Sequence, residues 1–349
     1  MPAEWEPHEA TWLGWPHNAQ DWPGKIAAIH FVYGEIVRKI ALGEKARIIV
    51  NDEQHEAKAR RILSDVGVDM NLVEFFRIPT DRGWTRDFGP IFVRLTSSRG
   101  RPGSKDETAI AGFGFNAWAK YPDFKKDQKI AEKLAKKLKK TYLPVRHNGR
   151  PFVLEGGAID VNGRGTLLTT EECLLDQNVQ VRNPDVSRAG YEKVLAESLG
   201  AANVIWLNKG IAGDDTHGHV DDLCRFVNET TIVLCRESDP KDANYGLLQE
   251  NREILESARL ENGSRPQVEF LPMPAPLYYR RRRLPASYAN FLITNAAVLV
   301  PTFNDVNDRK ALGILTEFFP GREVVGIHAV DLVWGLGTLH CLSQQQPAE

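Results

Sequence analysis

Apolar residues recur every three or four positions in six segments of the chain, the spacing that places them on one face of a helix. These segments predict helices at residues 24–42, 53–66, 125–140, 187–199, 243–261 and 306–319. Asp305 and Asn307 provide a start signal for the last helix, and Pro320 and Gly321 end it, because proline cannot continue a helix. The chain therefore alternates helices with short connecting segments.

Three of the connecting segments resemble one another, at residues 158–169, 224–235 and 290–301. Each has an asparagine between two runs of β-forming residues, and we interpret each segment as a β-hairpin. The asparagines are Asn162, Asn228 and Asn295, so successive turns are 66 and then 67 residues apart. Because asparagine tolerates a positive φ, we expect it to occupy the tight turn of each hairpin.

Two weaker copies complete the series, at residues 88–94 and at residues 337–343. One hairpin and one helix bury too little surface to fold alone, so we expect the five units to stack around a central axis. The predicted fold is a single closed α/β domain of repeating units that spans residues 1–349. The alternative is two unrelated α/β domains whose turns share an asparagine by coincidence.

The charge balance excludes several classes of partner. There are 44 basic and 46 acidic residues, so no global field would attract nucleic acid or an anionic membrane. The N-terminal residues have no basic start with an apolar core segment, and no run of about 18 apolar residues occurs. We expect a cytoplasmic protein that binds neither nucleic acid nor membrane, and the sequence leaves a homo-oligomer open. Arg280, Arg281, Arg282 and Arg283 are interpreted as a charged loop, with a local anion site as the alternative.

The repeat indicates where chemistry could be concentrated. Glu155 stands seven residues before Asn162, and Asp221 stands seven residues before Asn228. Equivalent positions in a closed ring face the same axis. The same offset in the next copy gives Tyr288, with Asn290 two residues later. Repetition is therefore expected to bring together Asp87, which precedes the first hairpin, Glu155, His219, Asp221 and Cys341, which lies in the predicted strand of the last unit.

Each candidate also has a structural interpretation. Asp87 is next to Arg86 and could form a simple ion pair with it. Glu155 precedes two glycines and could be a carboxylate in a loop. His219 and Asp221 alternate along a strand-like run, so both side chains should point the same way. A metal site at His217, His219 and Asp221 lacks an obvious further ligand, and we therefore predict no metal.

The four cysteines form no CxxC pair, which argues against a zinc knuckle and a disulfide scaffold. Cys173, Cys224 and Cys235 lie in apolar runs and are interpreted as small core residues. Cys341 differs, because Gly335 and Gly337 precede it and glycine lets backbone and substrate approach closely.

Carboxylates beside a cysteine restrict the type of substrate. Asp87 and Asp221 should raise the pKa of the thiol, because a second negative charge is disfavoured there. A planar guanidinium reverses this effect, since its donors match carboxylate geometry and its positive charge favours the thiolate. The site would then become reactive mainly when a guanidinium is bound.

Several motifs resemble the agmatine deiminases and the bacterial peptidylarginine deiminase family. They are PAEWEPH at residues 2–8, WLGWP at 12–16, WTRDFGP at 84–90, EGG at 155–157, GDDTHGHVD at 213–221 and GTLHCLSQQ at 337–345. The resemblance runs from residue 2 to about residue 347. It implies a five-bladed, pseudo-symmetric α/β propeller of the guanidino-group-modifying superfamily, in agreement with five repeating units.

The resemblance also implies a mechanism without a metal or an organic cofactor. Cys341 would attack the guanidinium carbon and form a covalent thioether intermediate. His219 would protonate the departing ammonia and then activate water. The carboxylates of Asp87 and Asp221 would hold the guanidinium nitrogens, and Glu155 would orient His219 and contact the substrate.

We predict a hydrolase that converts agmatine to N-carbamoylputrescine and ammonia, a step of putrescine biosynthesis. Agmatine is preferred to arginine because no cation can be assigned to the carboxylate of arginine. The predicted substrate-binding residues, besides Asp87 and Asp221, are Trp84 along the methylenes, Asp214 and Asp215 at the amine, Tyr288 and Asn290. The alternatives are peptidyl-arginine deimination, amidinotransfer, a protease-like or transglutaminase-like enzyme that uses Cys341 and His219, and a catalytically silent binding protein.

Overall fold

The computed structural model describes residues 1–95 and 107–349. Within these ranges the α-helices are α1 Ile26–Ile40, α2 Glu53–Asp65, α3 Thr85–Phe88, α4 Ile130–Leu138, α5 Glu171–Leu175, α6 Arg188–Leu199, α7 Ala243–Ser257 and α8 Asp308–Phe318. The six helices predicted from periodicity are all present, with ends that differ by a few residues. The sequence analysis missed α3 and α5, because four or five residues are too short to show a helical period.

The strands are short and numerous. They are β1 His8–Gly14, β2 Lys45–Val50, β3 Val73–Arg77, β4 Ile91–Leu95, β5 Glu107–Gly112, β6 Tyr142–Pro144, β7 Arg146–His147, β8 Arg150–Pro151, β9 Asp160–Val161, β10 Thr166–Thr170, β11 Asn203–Leu207, β12 Cys224–Phe226, β13 Thr231–Arg236, β14 Gln267–Pro272, β15 Tyr278–Tyr279, β16 Arg282–Arg283, β17 Leu292–Ile293, β18 Ala297–Thr302, β19 Glu323–His328 and β20 Ser343–Pro347.

Five small sheets in the described part of the chain share one topology. In each, two antiparallel strands are followed by a helical connection and a third strand that runs parallel to the second. The sheets are β4-β5-β6, β9-β10-β11, β12-β13-β14, β17-β18-β19 and β20-β1-β2, the last extended by β3. The fold is therefore mixed α/β, as predicted, and the three hairpins proposed from the sequence repeat are present.

The turn asparagines act through their side chains. Asn162 and Asn228 accept backbone N–H groups two residues ahead, from Arg164 and Thr230, at 2.9 and 3.0 Å. Asn295 instead accepts the backbone N–H of His8 at 2.9 Å and so joins two sheets. None of the three has a positive φ, so the prediction that these asparagines adopt a positive φ in the turns was wrong. Short side-chain hydrogen bonds to the backbone explain the asparagines instead.

The residues before the first strand of each sheet form one helical turn or a bend. These turns cover residues 85–88, 156–158, 220–222, 288–289 and 339–342. The core consists of two clusters of buried apolar side chains. No helix of the described residues is long and apolar enough to cross a membrane.

Candidate functional site

The five predicted catalytic residues lie in or beside these turns, and each of them is buried. The predicted strands at this point were wrong. His219 and Asp221 flank and enter a 3-10 turn, Val220–Asp222, and Cys341 lies in the bend before β20. A turn brings side chains from different sheets together more closely than a strand would.

The sulfur of Cys341 faces an amide and a carboxylate. The Nδ2 group of Asn290 donates to Sγ at 3.1 Å, and Asp221 Oδ2 lies 3.7 Å from Sγ. A side chain at Gly337 would come within 3.0 Å of this sulfur, which explains the glycine. Burial, followed by the charges of Asp221, Asp222 and Asp87, raises the pKa of the thiol well above its usual value.

The imidazole of His219 lies beside Asp87, with 3.8 Å between His219 Nδ1 and Asp87 Oδ1. Neither ring nitrogen has a hydrogen-bond partner among the described residues. Burial opposes protonation of the ring, but the charge of Asp87, the nearby sulfur of Cys173 and the charge of Asp221 together raise the pKa of His219 well above the usual value. A protonated imidazole with free N–H groups is suited to donate a proton to a leaving group.

Asp87 is held in place from two sides. Trp118 Nε1 donates to Asp87 Oδ2 at 2.9 Å, and the backbone N–H of Gly157 donates to Oδ1 at 3.1 Å. A side chain on Gly157 would meet the ring of His219 and the Asp87 carboxylate, so only glycine fits. Burial raises the pKa of Asp87 to about 6, so this carboxylate is ionised at neutral pH.

Glu155 is anchored by a buried cation. Arg182 Nε donates to Glu155 Oε1 at 3.0 Å, and both side chains are fully buried. The same guanidinium donates to the carbonyl groups of Gln180 and Thr216, so it joins the two loops on either side of the site. Glu155 Oε2 has no partner among the described residues and remains available.

Asp221 is supported by a buried network that the sequence analysis did not identify. His340 Nδ1 lies 2.6 Å from Asp221 Oδ2, and His340 Nε2 lies 2.8 Å from Glu4 Oε2. Glu4 also accepts from Arg225 at 2.6 Å. Burial opposes ionisation of Asp221, but the hydrogen bond from His340 lowers the pKa of this carboxyl. Its neighbour Asp222 has a pKa raised well above the usual value by burial and by the charge of Asp221.

A cavity of about 330 Å³ leads to the sulfur. Its inner end is formed by Cys341, Asp87 and Trp118, and its walls are largely aromatic. The other lining residues are Gln20, Asp21, Pro23, Arg82, Trp84, Tyr121, Asp215, Thr216, Tyr279, Arg282, Leu284, Trp334, Gly335 and Leu336.

Two of the predicted tail-binding residues, Trp84 and Asp215, line this cavity, and three do not. Asp214 accepts four hydrogen bonds, from the N–H and hydroxyl of Thr216 and from the N–H groups of Gly218 and His219. The hydroxyl of Tyr288 donates to Asp308 at 2.7 Å. Asn290 contacts the sulfur but is not part of the cavity wall.

Among residues 1–95 and 107–349, two groups of three residues have ligand atoms close enough to hold a metal ion. They are Glu155, Cys173 and His219, and Asp221, Asp222 and Cys341, with all ligand atoms in each group within 4.8 Å of one another. Cys173 lies in α5, directly after β10, and is buried in the second apolar cluster, as predicted for a small core residue. In the first group the guanidinium of Arg182 already provides a positive charge at Glu155. His217 bonds to Asp176 at 2.8 Å and belongs to neither group.

Four residues that support the site were not predicted from the sequence, and they are Glu4, His340, Trp118 and Arg182. Glu4 and His340 lie inside two of the motifs used for the resemblance, but nothing in the sequence assigned them a role. Trp118 and Arg182 come from connecting segments with no repeat equivalent. Only their three-dimensional position beside Asp87 and Glu155 identifies them.

The model of the family described as Porphyromonas-type peptidyl-arginine deiminase matches residues 1–347. The chain belongs to this family. The resemblance inferred from the sequence motifs is therefore confirmed.

Relatives within this deiminase family share sequence and structure over nearly their whole length. An agmatine deiminase of Pseudomonas aeruginosa is 35% identical, and the match covers 100% of this chain and 95% of the relative. An agmatine deiminase of C. jejuni, solved with substrate bound, has a TM-score of 0.85 and 33% identity over 99% of this chain and 95% of its own. An agmatine deiminase of Enterococcus faecalis has a TM-score of 0.87 and 29% identity, over 99% and 95% of the two chains.

Proposed function

We propose that this protein is an agmatine deiminase, a hydrolase that converts agmatine to N-carbamoylputrescine and ammonia. The observation that carries the proposal is the clustering of one thiol, one imidazole and three carboxylates, two of which groups, Cys341 and Asp87, line one cavity. The full-length relatives that are agmatine deiminases support the same reaction. The reaction would supply a precursor for putrescine.

The guanidinium binds first, between Asp87 and Asp221. Both carboxylates are buried, so their charges are costly until a cation arrives. A guanidinium presents two edges of N–H donors and can bond both carboxylates at once. Its charge offsets the negative potential at Cys341, so the proton of the thiol is lost more readily in the complex than in the empty site.

The thiolate of Cys341 then attacks the guanidinium carbon and forms a C–S bond. The imidazolium of His219 gives its proton to a nitrogen of the tetrahedral adduct, and the C–N bond breaks as ammonia leaves. The product of this half-reaction is an amidino thioether on Cys341. A carboxylate oxygen of Glu155 lies within 4.8 Å of a ring nitrogen of His219, and we assign Glu155 the orientation of this ring and of the substrate nitrogens.

Water completes the reaction. Neutral His219 removes a proton from a water molecule, which attacks the thioether carbon, and the C–S bond breaks to release the ureido product. As the carbonyl group forms, the hydroxyl proton of the adduct passes to the departing sulfur and restores the thiol. No step requires a metal or an organic cofactor.

The tail of the substrate occupies the outer cavity. We assign the methylenes to the face of Trp84 and the amine to the side of the cavity that contains Asp215. Asp214 is assigned to positioning, because its carboxylate is bonded to the backbone that carries His219.

We further infer that residues 1–349 form one domain, a five-bladed α/β propeller. The five sheets of common topology support this arrangement, as does the meeting of their leading turns at one site. A cytoplasmic location remains a prediction, which cell fractionation would test.

Ammonia release tests the proposed reaction. The substrates are agmatine, arginine, a blocked peptidyl-arginine and a glutamine amide, each with the intact protein and with Cys341→Ala. We expect release from agmatine and none from the variant. Release chiefly from the peptide would make peptidyl-arginine the substrate, and a new guanidino product with an added amine would indicate amidinotransfer. No release from any guanidine would overturn the proposal.

A further inference from the structure

A hairpin with four arginines forms one wall of the outer cavity. It consists of β15, β16 and the turn between them, residues 278–283. Tyr279 stacks on Trp334 with 3.9 Å between ring centroids, and both rings line the cavity. Arg283 bonds to Asp242 at 2.9 Å and ties the hairpin to the start of α7. The hairpin is thus held on two sides, and the charged loop expected from the sequence lies at the cavity.

Arg282 is the hairpin residue that points its charge into this cavity. Its Nη2 group bonds to the carboxylate of Asp215, which also accepts from Lys120 Nζ and Tyr121 Oη at 2.6 Å each. Burial works against the ionised form of Asp215, but these three donors lower the pKa of its carboxyl. Asp215 is therefore an ionised carboxylate that already accepts from three donors, two of which are cations.

Asp21, the other acidic residue of the outer cavity, is engaged in the same way. Arg82 bonds to one of its oxygens, and Trp84 Nε1 donates to the other at 3.2 Å. An ammonium group that enters the cavity therefore meets no free carboxylate at its outer end, within the described residues. It must displace a cation of the protein instead.

Arg282 is the donor best placed to be displaced. Its side chain is 46% exposed, whereas that of Asp215 is 7% exposed, so Arg282 can turn towards solvent without burial of a charge. A partly exposed ion pair of this kind is weak, so its loss changes an equilibrium constant by roughly fivefold or less. Arg282 also places a positive charge where a carboxylate-bearing tail would end.

We propose that Arg282 is a specificity-determining residue: compared with a neutral side chain at the same position, it weakens binding of a cationic tail, strengthens binding of an anionic tail and has little effect on a neutral one. This inference rests on the proposed function, because it concerns the tail of the same guanidine substrate. It predicts that the protein binds agmatine more weakly than it would without the charge of Arg282.

The test uses three guanidines of the same chain length that differ only at the tail. Agmatine ends in an ammonium group, butylguanidine in a methyl group and guanidinobutyrate in a carboxylate. Their KM and kcat values are measured with the wild type, with Arg282→Gln and with Arg281→Gln. Arg281 is an exposed neighbour on the same hairpin and does not line the cavity, so it provides a matched control.

We expect Arg282→Gln to lower the KM for agmatine about 3- to 5-fold, to raise that for guanidinobutyrate by a similar factor, and to leave butylguanidine nearly unchanged. The kcat values should change less than twofold, and Arg281→Gln should resemble the wild type. A shift of the same sign for all three tails would indicate a structural role and overturn the proposal. No shift for any tail would overturn it as well.

Binding measurements distinguish a failure of the Arg282 proposal from a failure of the proposed deiminase reaction. Dissociation constants for the three guanidines are measured by calorimetry in a Cys341→Ser background, with and without Arg282→Gln. Tail-dependent shifts without turnover in the wild type would support Arg282 and contradict the deiminase. Turnover without tail-dependent shifts would support the deiminase and contradict the role of Arg282. Absence of binding would contradict both the deiminase and the role of Arg282.

Discussion

Replacing Asp221 by asparagine should make Cys341 more reactive in the empty protein while it abolishes catalysis. The carboxylate oxygen lies 3.7 Å from the sulfur, and both groups are buried. Asparagine keeps the size of the side chain and removes its charge. A nearby negative charge opposes the thiolate, so its removal favours the reactive form of Cys341.

The magnitude follows from this distance. Two unit charges at 3.7 Å interact by about 4 kcal/mol at an effective dielectric constant of about 20. His340 shares the charge of Asp221 through its 2.6 Å contact, so we take roughly half, about 2 kcal/mol. This corresponds to about a 30-fold increase in the thiolate fraction at fixed pH.

The assay is alkylation by iodoacetamide, a neutral reagent, at pH 7.5 without substrate. Mass spectrometry of the peptide that contains Cys341 separates it from the other three cysteines. We expect Asp221→Asn to react about 10- to 100-fold faster than the wild type. Asp222→Asn is the graded comparison: Asp222 raises the pKa of the thiol less than Asp221 does, and its own pKa lies well above the usual value, so the rate should increase less than for Asp221→Asn. An equal or slower rate for Asp221→Asn would refute the electrostatic reasoning.

Three further changes test the support of the site. Burial raises the pKa of Asp87 to about 6, above about 4 in the unfolded chain, so wild-type stability falls as pH rises through this window. Asp87→Asn should therefore stabilise the substrate-free protein by about 3 kcal/mol at pH 8 and about 1 kcal/mol at pH 4.5 in urea unfolding; equal effects at both pH values would contradict this. Arg182→Met leaves Glu155 without its buried countercharge and should cost about 3–5 kcal/mol in the same assay, with a smaller loss for Arg182→Lys. Trp118→Phe removes the 2.9 Å hydrogen bond to Asp87 and should reduce kcat/KM for agmatine about 10-fold, with unchanged circular dichroism; full activity would show that the bond is dispensable.

The sequence was most informative where a regular pattern follows directly from packing. Helices α1 and α7 were predicted because their apolar faces cover several turns. The hairpins were predicted because their turns repeat, although the asparagines act by hydrogen bonding. The offset from these turns then placed Glu155 and Asp221 at one site before any distance was known.

The remaining features depend on contacts between distant segments. Trp118 reaches Asp87 from a loop with positive φ values, and no local pattern predicts such a conformation. Arg182 and His340 were missed because a buried charge is recognisable only beside its partner. The tail site was predicted least well. Asp214 and Asp215 are adjacent aspartates that the sequence cannot distinguish, but only Asp215 lines the cavity.

The central claim is that Cys341 forms a covalent bond to the guanidinium carbon. Wild-type protein is mixed with agmatine, quenched in acid within milliseconds to seconds, digested and examined by mass spectrometry. The account predicts a transient adduct on the peptide with Cys341, with the mass of agmatine less one ammonia, that disappears as N-carbamoylputrescine accumulates. Ammonia release at the same rate with unmodified Cys341 throughout, or with the adduct on another cysteine, would contradict it.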